Sequence, residues 1–140
     1  MAHPDRPRFA IPASASIPYG TIDAEHGALV DLINRAFDVG KETGFSSERM
    51  GPLFLELQQK FADHFASEER MMEQAGFPGL AAHQAHHRDL LANILEICER
   101  GRTGHFAEAV DVEGFLDSIV DDVLRADLSF KTYLEHRGMC

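Results

Sequence analysis

The chain has 140 residues, with 13 Lys and Arg against 23 Asp and Glu, and a formal charge of −10 with its eight histidines neutral. This is the length of one domain, and so acidic a balance excludes a surface built to neutralise nucleic-acid phosphates. Two cysteines, Cys98 and Cys140, are too few for a disulfide scaffold, no apolar run reaches the ~18 to 20 residues of a bilayer span, and Met1–Pro7 lacks the apolar stretch of a signal peptide. The expectation is a soluble cytoplasmic protein that engages neither nucleic acid nor membrane.

Residues 1–20 hold four of the six prolines and the run Ala13-Ser14-Ala15-Ser16, a composition that resists regular structure and predicts an arm lying over the domain. The folded body is expected over 21–136, with 137–140 as a tail. Ile22, His26, Leu29, Val30, Ile33 and Phe37 recur at helical spacing behind Asp23 and Glu25, which predicts a first helix ending near Gly40. A second helix starts somewhere between Lys41 and Pro52, where Ser46 or Ser47 could cap it and Pro52 suits only a first turn. Its stripe is Leu53, Leu57, Phe61, His64, Glu68, Met71 and Ala75, and it stops at Gly76-Phe77-Pro78-Gly79.

The third helix carries Leu80, His83, His87, Leu90, Leu91, Ile94 and Cys98 on one face and ends at Gly101 and Gly104. In the fourth, Phe115, Ile119, Asp122, Ala126, Phe130 and Tyr133 form the expected stripe. Four amphipathic helices, short loops and no strand predict an all-α, up-down-up-down antiparallel four-helix bundle. Polar residues interrupt all four stripes.

Each helical residue turns by roughly 100°, so residues four apart share a face. His83 with His87, and His64 with Glu68, can therefore each aim two donors at one point, while His26, Asp122 and Asp127 lie on or beside the other stripes. Buried carboxylates and imidazoles cost several kcal/mol each unless paired or coordinated, and a cation pair serves all seven at once. Neutral imidazoles would be terminal ligands and Glu68 and Asp127 bridges, a donor set that suits iron and, less selectively, manganese, zinc or cobalt. Asp122 and Asp127 are five apart, roughly 140° around the helix, so they would have to approach from different sides.

Ile22-Asp23-Ala24-Glu25-His26, His64-Phe65-Ala66-Ser67-Glu68-Glu69 followed by Met72, His83-Gln84-Ala85-His86-His87, and Asp127 in the last helix together resemble the hemerythrin family, in its single-domain bacterial form, over about residues 19–134. The resemblance implies two iron ions with a bridging oxo or hydroxo group and reversible binding of O2. By position, His26 and His64 would hold the iron with the open site, His83 and His87 the closed iron, and Glu68 and Asp127 would bridge. The family's remaining ligand is a histidine, and Asp122 stands in its place. Matching positions imply an oxygen pocket lined by Leu29, Phe65, Ile119 and Val123, made roomier or wetter by Ser118 where the family often has Trp.

Asp122 as a ligand would add a negative charge, stabilise ferric iron and speed autoxidation. The expected function is O2 binding for storage, delivery or sensing. The alternatives are a di-iron oxidase, peroxidase or ferroxidase, favoured by Asp122 and Ser118, and a regulatory module whose redox state alters an interaction with a protein partner.

Overall fold

The computed structural model describes residues 9–44, 47–102 and 112–139; His3, Ser46, Gly104, His105 and Cys140 fall outside them. Among the described residues there is no strand. A 3-10 turn, Ala13–Ala15, precedes α1 (Ile22–Thr43), α2 (Ser47–Gln74), α3 (Leu80–Arg102) and α4 (Val112–His136).

The apolar residues separate into two clusters, and their order along each helix fixes the topology. One holds Ile22 of α1, Met72 and Ala75 beside the end of α2, and Phe130 and Leu134 of α4, with Leu80 of α3 packed against it. The other holds Leu29 and Ile33 of α1, Phe61 and Phe65 of α2, Leu90 and Ile94 of α3, and Ile119 and Val123 of α4. The first cluster is thus met at the start of α1, the end of α2, the start of α3 and the end of α4. Successive helices run in opposite directions, with α1 packed on α2 and α4, and α2 on α3. Between the clusters every helix contributes polar side chains, buried in a layer across the bundle.

Several boundaries depart from the sequence expectation. α1 runs past Gly40 to Thr43 and closes where Gly44, at φ 66°, donates its N–H to the Gly40 carbonyl. α2 begins at Ser47, which puts Pro52 in its second turn; the ring leaves the carbonyl of residue 48 without its helical partner, and Pro52 sits on the exposed side, where water can replace it. The turn between α2 and α3 is a Schellman motif: the Phe77 N–H reaches the Met72 carbonyl at 2.9 Å and the Gly76 N–H the Glu73 carbonyl at 3.0 Å, with Gly76 at φ 70°. The Tyr133 hydroxyl of α4 donates to the Ala75 carbonyl at 2.7 Å and lies 3.1 Å from that of Gly76, tying this turn to the last helix.

The buried stripe of α4 is Leu116, Ile119, Val123, Asp127, Phe130 and Leu134. The expected stripe through Asp122 and Ala126 is rotated by one residue from it, and both of these are only half-buried.

The arm is packed into the body. The Phe9 N–H donates to Asn34 Oδ1 at 2.7 Å and Asn34 Nδ2 donates to the Phe9 carbonyl at 2.9 Å, a two-point clamp that seats the Phe9 ring edge-on against Phe37. Further on, Asp23 accepts from the Ile17 N–H at 2.6 Å and the Ser16 hydroxyl at 2.7 Å. Phe9 belongs to one apolar cluster and Ile17 to the other, so the arm spans the polar layer from outside.

Candidate metal centre

Six ionisable side chains fill the layer between the two apolar clusters: His26, His64, Glu68, His83, His87 and Asp127, none more than 6% exposed. Helical spacing places them there. His64 and Glu68 are one turn apart on α2, His83 and His87 one turn apart on α3, and His26 and Asp127 come from α1 and α4.

They form two groups of four that share both carboxylates: His26, His64, Glu68 and Asp127, and Glu68, His83, His87 and Asp127, each with donor atoms within 4.8 Å of one another. The oxygens divide between the groups. Glu68 Oε2 lies 3.6 Å from His26 Nε2 and 3.3 Å from His64 Nε2, whereas Oε1 lies 2.9 Å from His83 Nε2 and 3.2 Å from His87 Nε2. Asp127 Oδ2 faces His26 Nε2 at 2.7 Å and its Oδ1 faces His83 Nε2 at 2.9 Å. Each carboxylate therefore presents one oxygen to each pair of imidazoles, the arrangement of a bridge between two cations.

The residues fit such a pair. His26 Nε2, His64 Nε2, Glu68 Oε2 and Asp127 Oδ2 are all buried without a hydrogen-bond partner, although His26 Nε2 and Asp127 Oδ2 are close. They converge on one another without well-formed hydrogen bonds, a costly arrangement that a coordinated cation resolves.

Two further carboxylates hold the imidazoles from behind. Glu25 Oε1 lies 2.8 Å from His64 Nδ1, and Glu69 Oε2 lies 2.8 Å from His87 Nδ1. A proton held on Nδ1 by these contacts leaves Nε2 as the free donor facing the site. Glu25 also accepts from the Ser67 hydroxyl at 2.8 Å and contacts the Thr21 hydroxyl. In the sequence Glu25 is marked only as an acidic residue at the start of the first helix and within a motif, and Glu69 only as part of a motif, yet each is the chain neighbour of a ligand candidate, His26 or Glu68. Phe65 adds a stacked ring, 3.9 Å from His87 and 10° from parallel.

Charge reinforces the picture. Burial works to lower the pKa of His26 and of His83, but contacts with Asp127 and Glu68 outweigh it and raise both to about 9. The Glu68 carboxyl is held well below the usual range because the four surrounding imidazoles outweigh its burial. Asp127 is pushed up, chiefly by its burial.

Asp122 does not join these six. It belongs to neither donor group; it is half-buried and lines a surface groove with Ser118, Asn93, Glu96 and Ile97. The reason is the helix itself: Asp122 lies roughly 140° around α4 from the inward-facing Asp127, and its side chain is short. The expected oxygen pocket also divides. Leu29 and Val123, with His26, Ile33, Phe61 and Leu124, line a small apolar cavity of about 10 Å³. Phe65 instead stacks on His87, buried Ile119 lies under the Asp122 groove, and Ser118 is exposed at that groove. Ser118 therefore neither enlarges nor wets the cavity beside His26.

Fold and donor set together define a four-helix bundle whose buried centre could hold cations. The chain belongs to the hemerythrin family, since the profile described as "Hemerythrin HHE cation binding domain" matches residues 17–132. Its relatives include a bacteriohemerythrin from Stenotrophomonas maltophilia, 28% identical over 64% of this chain and 57% of that one, and a bacteriohemerythrin from Methylococcus capsulatus, 28% identical over 77% and 82%. A myohemerythrin from Riftia pachyptila is 31% identical over 58% of this chain and 61% of its own length. The match thus spans less than two thirds of the first and third of these relatives. Among the described residues no helix is long and apolar enough to cross a membrane.

Proposed function

We propose that this chain binds two iron ions in the middle of its bundle and takes up O2 there, for storage, delivery or sensing. The observation that carries the reading is the division of oxygens: Glu68 and Asp127 each offer one to the His26 side and one to the His83 side. His26 and His64 would hold one iron, His83 and His87 the other, with a solvent oxygen shared between them. Two ferrous ions would supply the electrons that O2 binding draws on. The surrounding chain orients the imidazoles through Glu25 and Glu69. It also limits water on the His26 side, because the adjoining cavity is lined by apolar side chains and has room for no more than about one water-sized molecule.

The oxidase, peroxidase or ferroxidase reading drew its support from Asp122 as an extra anionic ligand and from a wetter pocket at Ser118. Both residues line the outer groove, so O2 binding is the better supported function.

The test is anaerobic reconstitution with ferrous iron, metal quantification, and an optical O2 titration followed by evacuation. Two irons per chain and a ligand-to-metal charge-transfer band that comes with O2 and goes under vacuum are expected. A ferric spectrum that does not reverse, with both irons retained, would move the assignment to oxidase chemistry.

A further inference from the structure

We infer that the metal position held by His83 and His87 keeps a coordination position of its own open, so that the centre takes two small neutral ligands, one on each ion. This rests on the two-metal reading above and goes beyond it, since that reading requires only one open position.

Each group offers two imidazole nitrogens and one oxygen from each of the two shared carboxylates. Ferrous iron with nitrogen and oxygen donors commonly takes about six, and two-histidine carboxylate sets leave positions for exogenous ligands. A bridging solvent oxygen adds one donor to both ions alike and preserves the parity. Among the described residues no further His, Cys, Asp or Glu belongs to the His83 and His87 group.

Asp122 is the acidic residue of α4 nearest in sequence to Asp127, and it faces the groove with Ser118, Asn93 and Glu96. Bringing its carboxylate to the ions would require turning that stretch of α4 against the buried Ile119 and Val123.

The two sides differ in surroundings. The His26 side adjoins the small apolar cavity. On the other side Leu90, one turn beyond His87, and Ile119 are buried residues that also line the groove of about 240 Å³ where Asp122 lies. The Asp122 carboxylate there disfavours an anion, so the ligand suited to this second position is neutral and small.

Nitric oxide is the probe. The anaerobic di-ferrous protein is titrated with nitric oxide and followed by Mössbauer spectroscopy, which resolves the two irons, with iron quantified on the same sample. The expected result is about two nitric oxide molecules per pair, with both iron signals converted, in the unaltered protein and in Asp122→Ala alike. Conversion of only one iron in the unaltered protein overturns the inference. If Asp122→Ala then converts both, Asp122 is the closing ligand. Retention of fewer than two metal ions overturns the two-metal reading itself, and the inference falls with it; that outcome is recognised from the metal count before any gas is added.

Discussion

Glu25 and Glu69 hold the outer nitrogens of His64 and His87 while sitting beside His26 and Glu68 in the chain. Replacing either by Gln keeps the shape but removes the charge that fixes the imidazole tautomer. Glu25→Gln and Glu69→Gln should each weaken metal binding about 10- to 100-fold, read by competition with a chelator, while leaving the helical circular dichroism unchanged. Protonation makes a second prediction. His26 and His83 are raised from 6.5 to about 9 in the metal-free fold, so the stability they contribute is complete below pH 6.5 and is lost as the pH climbs through 9. The metal-free protein should therefore melt at lower temperature at pH 9 than at pH 6.5. Metal needs the neutral imidazoles, so loading near pH 7.5 should release about two protons from these histidines, measurable by pH-stat. His64 with Glu68 and His83 with His87 were legible in the sequence because one-turn spacing is a property of the chain alone, whereas His26 stood out only as a polar residue in an apolar stripe and Asp127 only through the family resemblance. Glu25 and Glu69 were not, because their partners lie on other helices and become neighbours only on packing.

At the scale of elements, α4 marks where periodicity falls short. Its two candidate stripes share Ile119 and Phe130 and are one residue out of step elsewhere, and both contain aromatic and aliphatic side chains at helical spacing. The choice between them belongs to the neighbours: with Leu116, Val123 and Leu134 inward, Asp127 is carried into the polar layer and Asp122 out to the groove. Helix count and direction were readable, since stripes and Gly-rich breaks are local. The exact ends were not, as the extra turn of α1 beyond Gly40 and the early start of α2 illustrate. Tyr133 supplies an element-scale test. Removing its hydroxyl unties α4 from the turn between α2 and α3, and Tyr133→Phe should cost about 1 kcal/mol in denaturant unfolding.

For the molecule as a whole, the arm is a structural member. Phe9 is 4% exposed and packs with core residues of the helices. Phe9→Ala should destabilise the protein by about 3 kcal/mol, read as a shift in the urea midpoint; a change below about 0.5 kcal/mol would mean the arm contributes little to holding the bundle. Its composition predicted irregular chain but could not identify Asn34 as its clamp, because that pairing spans 25 residues.

The polar layer separating the two apolar clusters has a consequence for how the molecule comes apart. A bundle with one continuous core melts as a unit, whereas here each half has its own greasy interior and the joint between them, without a cation, rests on imidazole–carboxylate contacts that hold only while the imidazoles are protonated. Metal ions drawing on all four helices at that level would act as a mechanical coupling. A loaded protein should unfold in a single sharp transition, and a stripped one should loosen first at the end built by Ile22, Met72, Phe130 and Leu134, where the smaller cluster has the least to hold it.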